Sequence, residues 1–364
     1  MKPYRFLCQC LDSFASLHET LEDREWETFV RFARQEFVEG AVYAALRRKD
    51  ELDRLPPPIR QKLKHMYHLN SVRHERLKGR LTEAIRLLND RGIEPMILKG
   101  GLRILDPRVD PGSAFMWDID MVVPMAALDE SVGALVGAGY RPQGEGKEWT
   151  YHYRPLIHPS RVSVELHVRV GEQRDFLTPD EAWAEAEAIP LDGSRALRLG
   201  ATHRLLHNVF HSEVMDRGYF LGFFGLRRLL VFVELCRDHA ETIDWTAAAD
   251  RMERHHLAHI LRNRFHQAQK LLGLPTPDGF EPDRRARLHF RRCMLSIRWG
   301  RFHSAAGHFD RLLLPFDRHR IDLMYDCGGD SVRIAMSRAR HGLRLFRRYR
   351  WNAWREIAHG GGRG

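Results

Sequence analysis

Hydrophobic positions recur at helical spacing through residues 1 to about 92, alternate like strands in the middle of the chain, and return to helical spacing after Leu197. Between Glu22 and Arg48, Phe29, Phe32, Ala33, Phe37, Ala41, Ala44 and Leu46 follow a helical pattern. Leu55-Pro56-Pro57-Pro58 breaks the chain. Proline fixes φ and lacks a donor that a first helical turn does not need, so this run presets a new helix start. Leu63, Met66, Leu77, Leu81, Ile85 and Leu88 then predict a helix over Ile59 to Asn89 that packs on a sheet, ended by Asp90-Arg91-Gly92.

The middle of the chain reads differently. Ile93 to Leu98, followed by Lys99-Gly100-Gly101, predicts a buried strand turning sharply into a helix. On a strand, side chains two apart share a face, so Asp118 and Asp120 point one way and Trp117, Ile119 and Met121 the other. Arg161 to Val170 alternates without a break, with Ser163, Glu165, His167 and Arg169 on its polar face. Ala126 to Ala138 predicts a helix closed by Gly139, and Lys147 to Leu156 pairs with Arg161 to Val170 as a hairpin. A short helix opens at Thr178-Pro179 with a capping threonine and proline at its first position. Leu205, Leu206, Val209 and Phe210 pattern one later helix, and Leu226, Leu229, Leu230, Val233 and Leu235 another. These elements make an α+β fold, a small mixed sheet with flanking helices between helical N- and C-terminal regions. The division expected is 1–64 (helical), 65–176 (catalytic core), 177–275 (helical) and 276–364 (basic and helical).

Two carboxylates about 7 Å apart along one strand repel each other unless a cation lies between them. Oxygen ligands on a rigid edge suit Mg²⁺ or Mn²⁺. If the Glu165 strand lies beside the Asp118/Asp120 strand, a three-carboxylate cluster forms. Gly100 and Gly101 can turn bare N–H groups toward a phosphate. Lys99 either reaches that phosphate or is solvated at the strand end. His167, on the face of Glu165, either holds that acid or contacts phosphate.

Leu98-Lys99-Gly100, then Asp118-Ile119-Asp120, then Glu165-Leu166-His167 resembles the nucleotidyltransferase core of the DNA polymerase β superfamily, and most closely the branch of uncharacterised nucleotidyltransferases. The likeness covers roughly residues 65 to 275. It implies an enzyme that moves a nucleoside monophosphate from an NTP to an acceptor and releases pyrophosphate. Asp118, Asp120 and Glu165 would act as catalytic residues and metal ligands. Lys99, Gly100, Gly101 and His167 would meet the nucleotide. The acceptor is left open among small molecules, sugars, proteins and RNA. A phosphotransferase, or a catalytically silent nucleotide- or nucleic-acid-binding protein, could use the same site.

Three further features bear on partners. His203, His207 and His211 share one helix face at zinc-like spacing, but without an additional ligand their expected role is packing or substrate polarity. Val332 to Arg355 holds eight arginines and no acid, with Val332, Met336, Ala339, Leu343, Phe346 and Trp354 as an apolar stripe. The stripe is expected to dock on the protein and leave a basic face; peripheral contact with an anionic surface is the other reading. The net charge of +10 favours polyanionic partners. Five scattered cysteines read as reduced thiols of a cytoplasmic protein, and no apolar run approaches membrane-spanning length.

Overall fold

Two prolines, Pro57 and Pro58, sit at the start of the longest helix, where their missing donors cost nothing. This is a computed structural model that describes residues 1–13, 16–144, 151–171, 175–222, 224–298, 321, 325, 327 and 330–343. The chain divides into two compact units, Met1–Leu295 and Ser296–Gly364.

The first unit opens with α1 (Lys2–Leu11), α2 (Asp23–Gln35) and α3 (Glu39–Arg48). Phe6 of α1 meets Trp26 and Phe29 edge-on at centroid distances of 5.6 and 5.5 Å. The single stripe read over 22–48 is divided because Phe37 takes φ of +55°. Phenylalanine is no turn former; the Phe37 ring stacks on Phe115 at 4.8 Å, a tertiary contact that offsets the backbone cost.

The long helix, α4 (Pro57–Asn89), buries Leu77, Leu81, Ala84, Ile85 and Leu88 in one core with Ile97, Ile119, Met121, Val164 and Leu166 of the sheet. It stops where Gly92 adopts φ of +72° and the Ile93 N–H returns to Leu88 O at 3.0 Å.

The sheet comprises β1 (Met96–Ile97), β2 (Asp118–Val122), β3 (Arg141–Pro142), β4 (Leu156–Ile157), β5 (Ser163–His167), β6 (Glu187–Ile189) and β7 (Ala196–Arg198), in the order β3-β4-β5-β2-β1-β7-β6. Pairing is mixed. β2 runs parallel to β5 and antiparallel to β1, and β1 runs parallel to β7. Between them lie α5 (Gly100–Leu105), α6 (Leu128–Gly137) and α7 (Pro179–Ala184). Thr178 caps α7 in a reciprocal box with Glu181. The expected hairpin forms with a shorter ladder: β4 and β5 are antiparallel, and Tyr153 and Val168 N–H groups extend the pairing to Leu166 O and Tyr151 O. Residues 147–150 of that expectation lie outside the described residues.

Helices complete the unit: α8 (Ala201–Val209), a π-helical turn over Phe210–Met215, α9 (Gly218–Leu221), α10 (Leu226–Asp238), α11 (Trp245–Arg254), α12 (Ala258–Leu272) and α13 (Arg284–Arg298), whose last residues pass into the second unit. Arg264 of α12 is fully buried and donates to Glu213 in the π turn at 2.8 Å. Both charges leave water together, so loss of either strands the other.

In the second unit, Ile321, Cys327 and Ile334 form a small core with Tyr325 beside it. A helix over 331–343 turns Ile334 and His341 inward. Of the expected apolar stripe, Val332, Met336 and Leu343 are 69%, 69% and 61% exposed. The buried set falls at i and i+7, a different face from the stripe. Phe346 and Trp354 lie outside the described residues. No helix among the described residues is long and apolar enough to cross a membrane, and all five cysteines are buried free thiols.

Candidate functional site

Parallel pairing of β2 with β5 sets Asp120 opposite Glu165 and Val122 opposite His167. The alternation that buries Ile119, Met121, Val164 and Leu166 in the core therefore collects the polar residues of both strands on the opposite face. Asp120 is only 3% exposed. His167 Nε2 donates to Asp120 Oδ1 at 2.9 Å and lies 3.9 Å from Glu165 Oε2, so it holds Asp120 more closely than Glu165. Its Nδ1 is buried without a partner. Lys99 Nζ donates to the same Asp120 oxygen at 2.9 Å.

Lys99 stands at the turn from β1 into α5 with φ of +47° and ψ of −123°, a conformation costly for a residue with a side chain. The sharp turn read from Gly100-Gly101 is thus made by the residue before them, and neither glycine has positive φ. The Gly101 N–H is used in the turn, donating to Leu98 O at 3.0 Å. A Cβ on Gly101 would sit 2.6 Å from Ile97 Cγ2, whereas one on Gly100 would meet the flexible Met116 side chain at 3.0 Å. Gly101 is required for packing, and Gly100 packs closely against Met116.

The charges respond to this crowding. Burial would raise Asp120, but the His167 hydrogen bond and the Lys99 ammonium outweigh it and hold the carboxyl well below the usual range. Asp118 is raised by burial and then by the negative charge of Asp120. Glu165 is raised by burial, then by Asp120 and Asp118. Burial pushes the His167 imidazole down despite its carboxylate neighbour, which keeps it neutral. Two acids that resist ionisation beside a third that is ionised describe a site short of positive charge. Ligand atoms of Asp120, Glu165 and His167 lie within 4.8 Å of one another. Two carboxylates and a neutral imidazole fit a divalent cation. Asp118 stands outside this group of three as its side chain is placed.

Lys99, Gly100, Asp118 and Asp120 line a cavity of about 680 Å³. Its far wall comes from one face of α8 (Arg204, His207, Asn208, and His211 in the π turn) and one face of α10 (Arg227, Glu234, Asp238). Apart from His207 and His211, these wall residues were missed as site candidates, because a polar helix face beside an apolar stripe reads as solvated. Their spacings of three, four and seven residues were the available signal. Arg227 donates to Phe115 O at 2.8 Å and feels the charge of Asp118. Trp117, placed with the core face of β2 by alternation, precedes the strand and is 60% exposed at the cavity rim. The three histidines of the α8 face separate: His203 lies 3.5 Å from Glu185, His211 Nδ1 lies 3.0 Å from Asp216 Oδ2, and buried His207 keeps an unpartnered Nε2. Among the described residues they gather no ion site of their own.

No curated protein and no solved structure matches the chain. A family model does, over residues 22–273, and that span holds every strand of the sheet, the acids of β2 and β5 and the helices that wall the cavity. The chain belongs to the family of uncharacterised nucleotidyltransferases.

Proposed function

We propose that the protein is a metal-dependent nucleotidyltransferase that moves a nucleoside monophosphate from an NTP to an acceptor and releases pyrophosphate. The observation that carries this reading is the in-register pairing of Asp120 with Glu165, with Asp118 two residues earlier on the same face, against a cavity of nucleotide size. Asp118, Asp120 and Glu165 would hold Mg²⁺ or Mn²⁺, which when bound neutralises phosphate charge and acidifies the acceptor hydroxyl. His167, buried behind Asp120, orients that carboxylate. Lys99 and the Gly100 N–H face the β- and γ-phosphates. Residues 65–176 form the catalytic portion and 177–275 the opposing wall, in a cytoplasmic protein.

One observation favours a second reading. The Lys99 ammonium already neutralises Asp120 without a metal, as a silent nucleotide-binding protein would require. The discriminating experiment incubates the protein with each labelled NTP, Mg²⁺ or Mn²⁺, and a cell extract. Metal-dependent pyrophosphate release with label passing to an acceptor supports the transferase. Tight NTP binding without pyrophosphate release supports the silent reading.

A further inference from the structure

The cavity has two ends with different electrostatic surroundings. Near the acids, His207 feels Lys99 and Asp120, and Arg227 feels Asp118 and Asp216. At the other end, Arg204 feels Arg198, Glu187, Asp238 and Arg108, and none of the catalytic acids is among the charges that act on it. The helices set the separation. Arg204 and His211 are seven residues apart along one helical run, roughly 10 Å at 1.5 Å per residue. Arg227 and His239 are twelve apart along α10 and its end, roughly 18 Å on the same rise.

At this distal end several cations are matched by acids or carbonyl oxygens, and Arg204 is not. Arg198 pairs with Glu187 at 2.9 Å, Arg108 with Asp106 at 2.7 Å, and Arg103 with Glu234. Arg237 donates to Ser13 Oγ and Leu272 O. Arg204 has no carboxylate within ion-pair distance among the described residues. Its Nη2 donates to His239 Nε2 at 3.1 Å, and its Nε is buried without a partner. Arg204 is half-buried, and a guanidinium nitrogen withdrawn from water without an acceptor is stabilised when a ligand supplies one. The fork of donors suits a planar carboxylate or a phosphate.

We propose that Arg204 and His239 form the anion-binding end of the acceptor site, and that the acceptor is a small molecule carrying a phosphate or carboxylate at the end remote from its nucleophilic oxygen. The triphosphate, the only anionic part of an NTP, is held at the opposite end by Lys99 and the metal ligands. The acceptor role rests on the nucleotidyltransferase reading; the anion subsite itself does not. His239 accepts from Arg204 through Nε2, so its ring is held neutral with the proton on Nδ1, and it fixes the guanidinium in the cavity wall.

The test is calorimetric titration of the full chain with inorganic phosphate and separately with acetate, with and without a saturating non-hydrolysable NTP analogue and Mg²⁺. Wild type should bind one of the two anions in the presence of the analogue, and which one binds identifies the charged group. Arg204→Gln should weaken that binding at least tenfold, and Arg204→Lys, which keeps the charge and loses the fork, at least threefold. Affinity for the analogue should stay within twofold in both. Anion binding unchanged in both variants, or abolished by the analogue in wild type, overturns the subsite. If wild type fails to bind the analogue, the nucleotidyltransferase reading falls, while the response of anion binding to the Arg204 variants still decides the subsite.

Discussion

Lys99 Nζ and His167 Nε2 both reach Asp120 Oδ1 at 2.9 Å, one from a strained turn and the other from the neighbouring parallel strand. A single oxygen thus carries the contacts that substitute for a metal. Hydrogen bonds to charged groups contribute about 1.5–3 kcal/mol, so the ammonium competes with any cation for Asp120. Lys99→Met should bind Mn²⁺ about tenfold more tightly, the equivalent of ~1.4 kcal/mol, while NTP affinity falls. Calorimetric titration of each ligand checks both directions. Equal Mn²⁺ affinity in variant and wild type would mean that lysine and metal do not compete.

Asp118 and Asp120 call for separate expectations. Asp118→Asn should lower turnover at least ~10²-fold, or ~2.7 kcal/mol of barrier, with little change in melting temperature because the side chain holds no ion pair among the described residues. Asp120→Asn should lose at least as much turnover and also stability, since it strands Lys99 and His167. Activity assays beside thermal melts separate the two effects. Wild-type turnover in both variants would remove the metal cluster from the mechanism.

The glycines divide similarly. Gly101→Ala drives a Cβ to 2.6 Å from Ile97 Cγ2 in the core and should destabilise by about 1–3 kcal/mol. The double variant with Ile97→Ala should recover part of the overpacking term. Gly100→Val meets only the Met116 side chain, so it should fold and bind NTP more weakly by crowding the phosphates. A folded Gly100→Val protein with unchanged nucleotide affinity would place the phosphates elsewhere.

The sheet and two of its acids were legible because strict alternation leaves only one way to bury Ile119, Met121, Val164 and Leu166, and that choice sets Asp120 beside Glu165, with Asp118 on the same face of β2. That β2 and β5 would be neighbours was a condition, met through parallel long-range pairing that no local pattern encodes. The break at Phe37 was illegible, since its left-handed backbone is held by Phe115, far along the chain. The turn at Lys99 was assigned to the glycines for the same reason: strain is sustained by surrounding structure and leaves no mark in composition. Within the second unit, Ile334 and His341 form the inward face of the helix over 331–343, a face that the hydrophobic stripe of Val332, Met336 and Leu343 did not signal.

The last expectation concerns pH and the join between α7 and α11. Arg251 donates to both carboxylate oxygens of Glu181, at 2.7 and 3.0 Å, and also to Phe176 O. Glu181 accepts from the Thr178 N–H and hydroxyl as well, completing the cap of α7. Led by the Arg251 hydrogen bond, these contacts lower the Glu181 pKa to about 2. A depressed folded pKa contributes stability that is fully present above the unfolded value of about 4.3 and is lost as pH falls through the folded value. The carboxylate is partly exposed, so solvent screening holds the contribution to ~1 kcal/mol. Glu181→Gln keeps the shape and removes the charge. It should melt about 2–4 °C below wild type at pH 7. The gap should narrow from pH 4.3 downward and close below pH 2, as wild type itself becomes protonated. Thermal melts of both proteins across that range measure it directly, and a gap that keeps its full size at pH 2 would assign the difference to the altered cap geometry rather than to the charge.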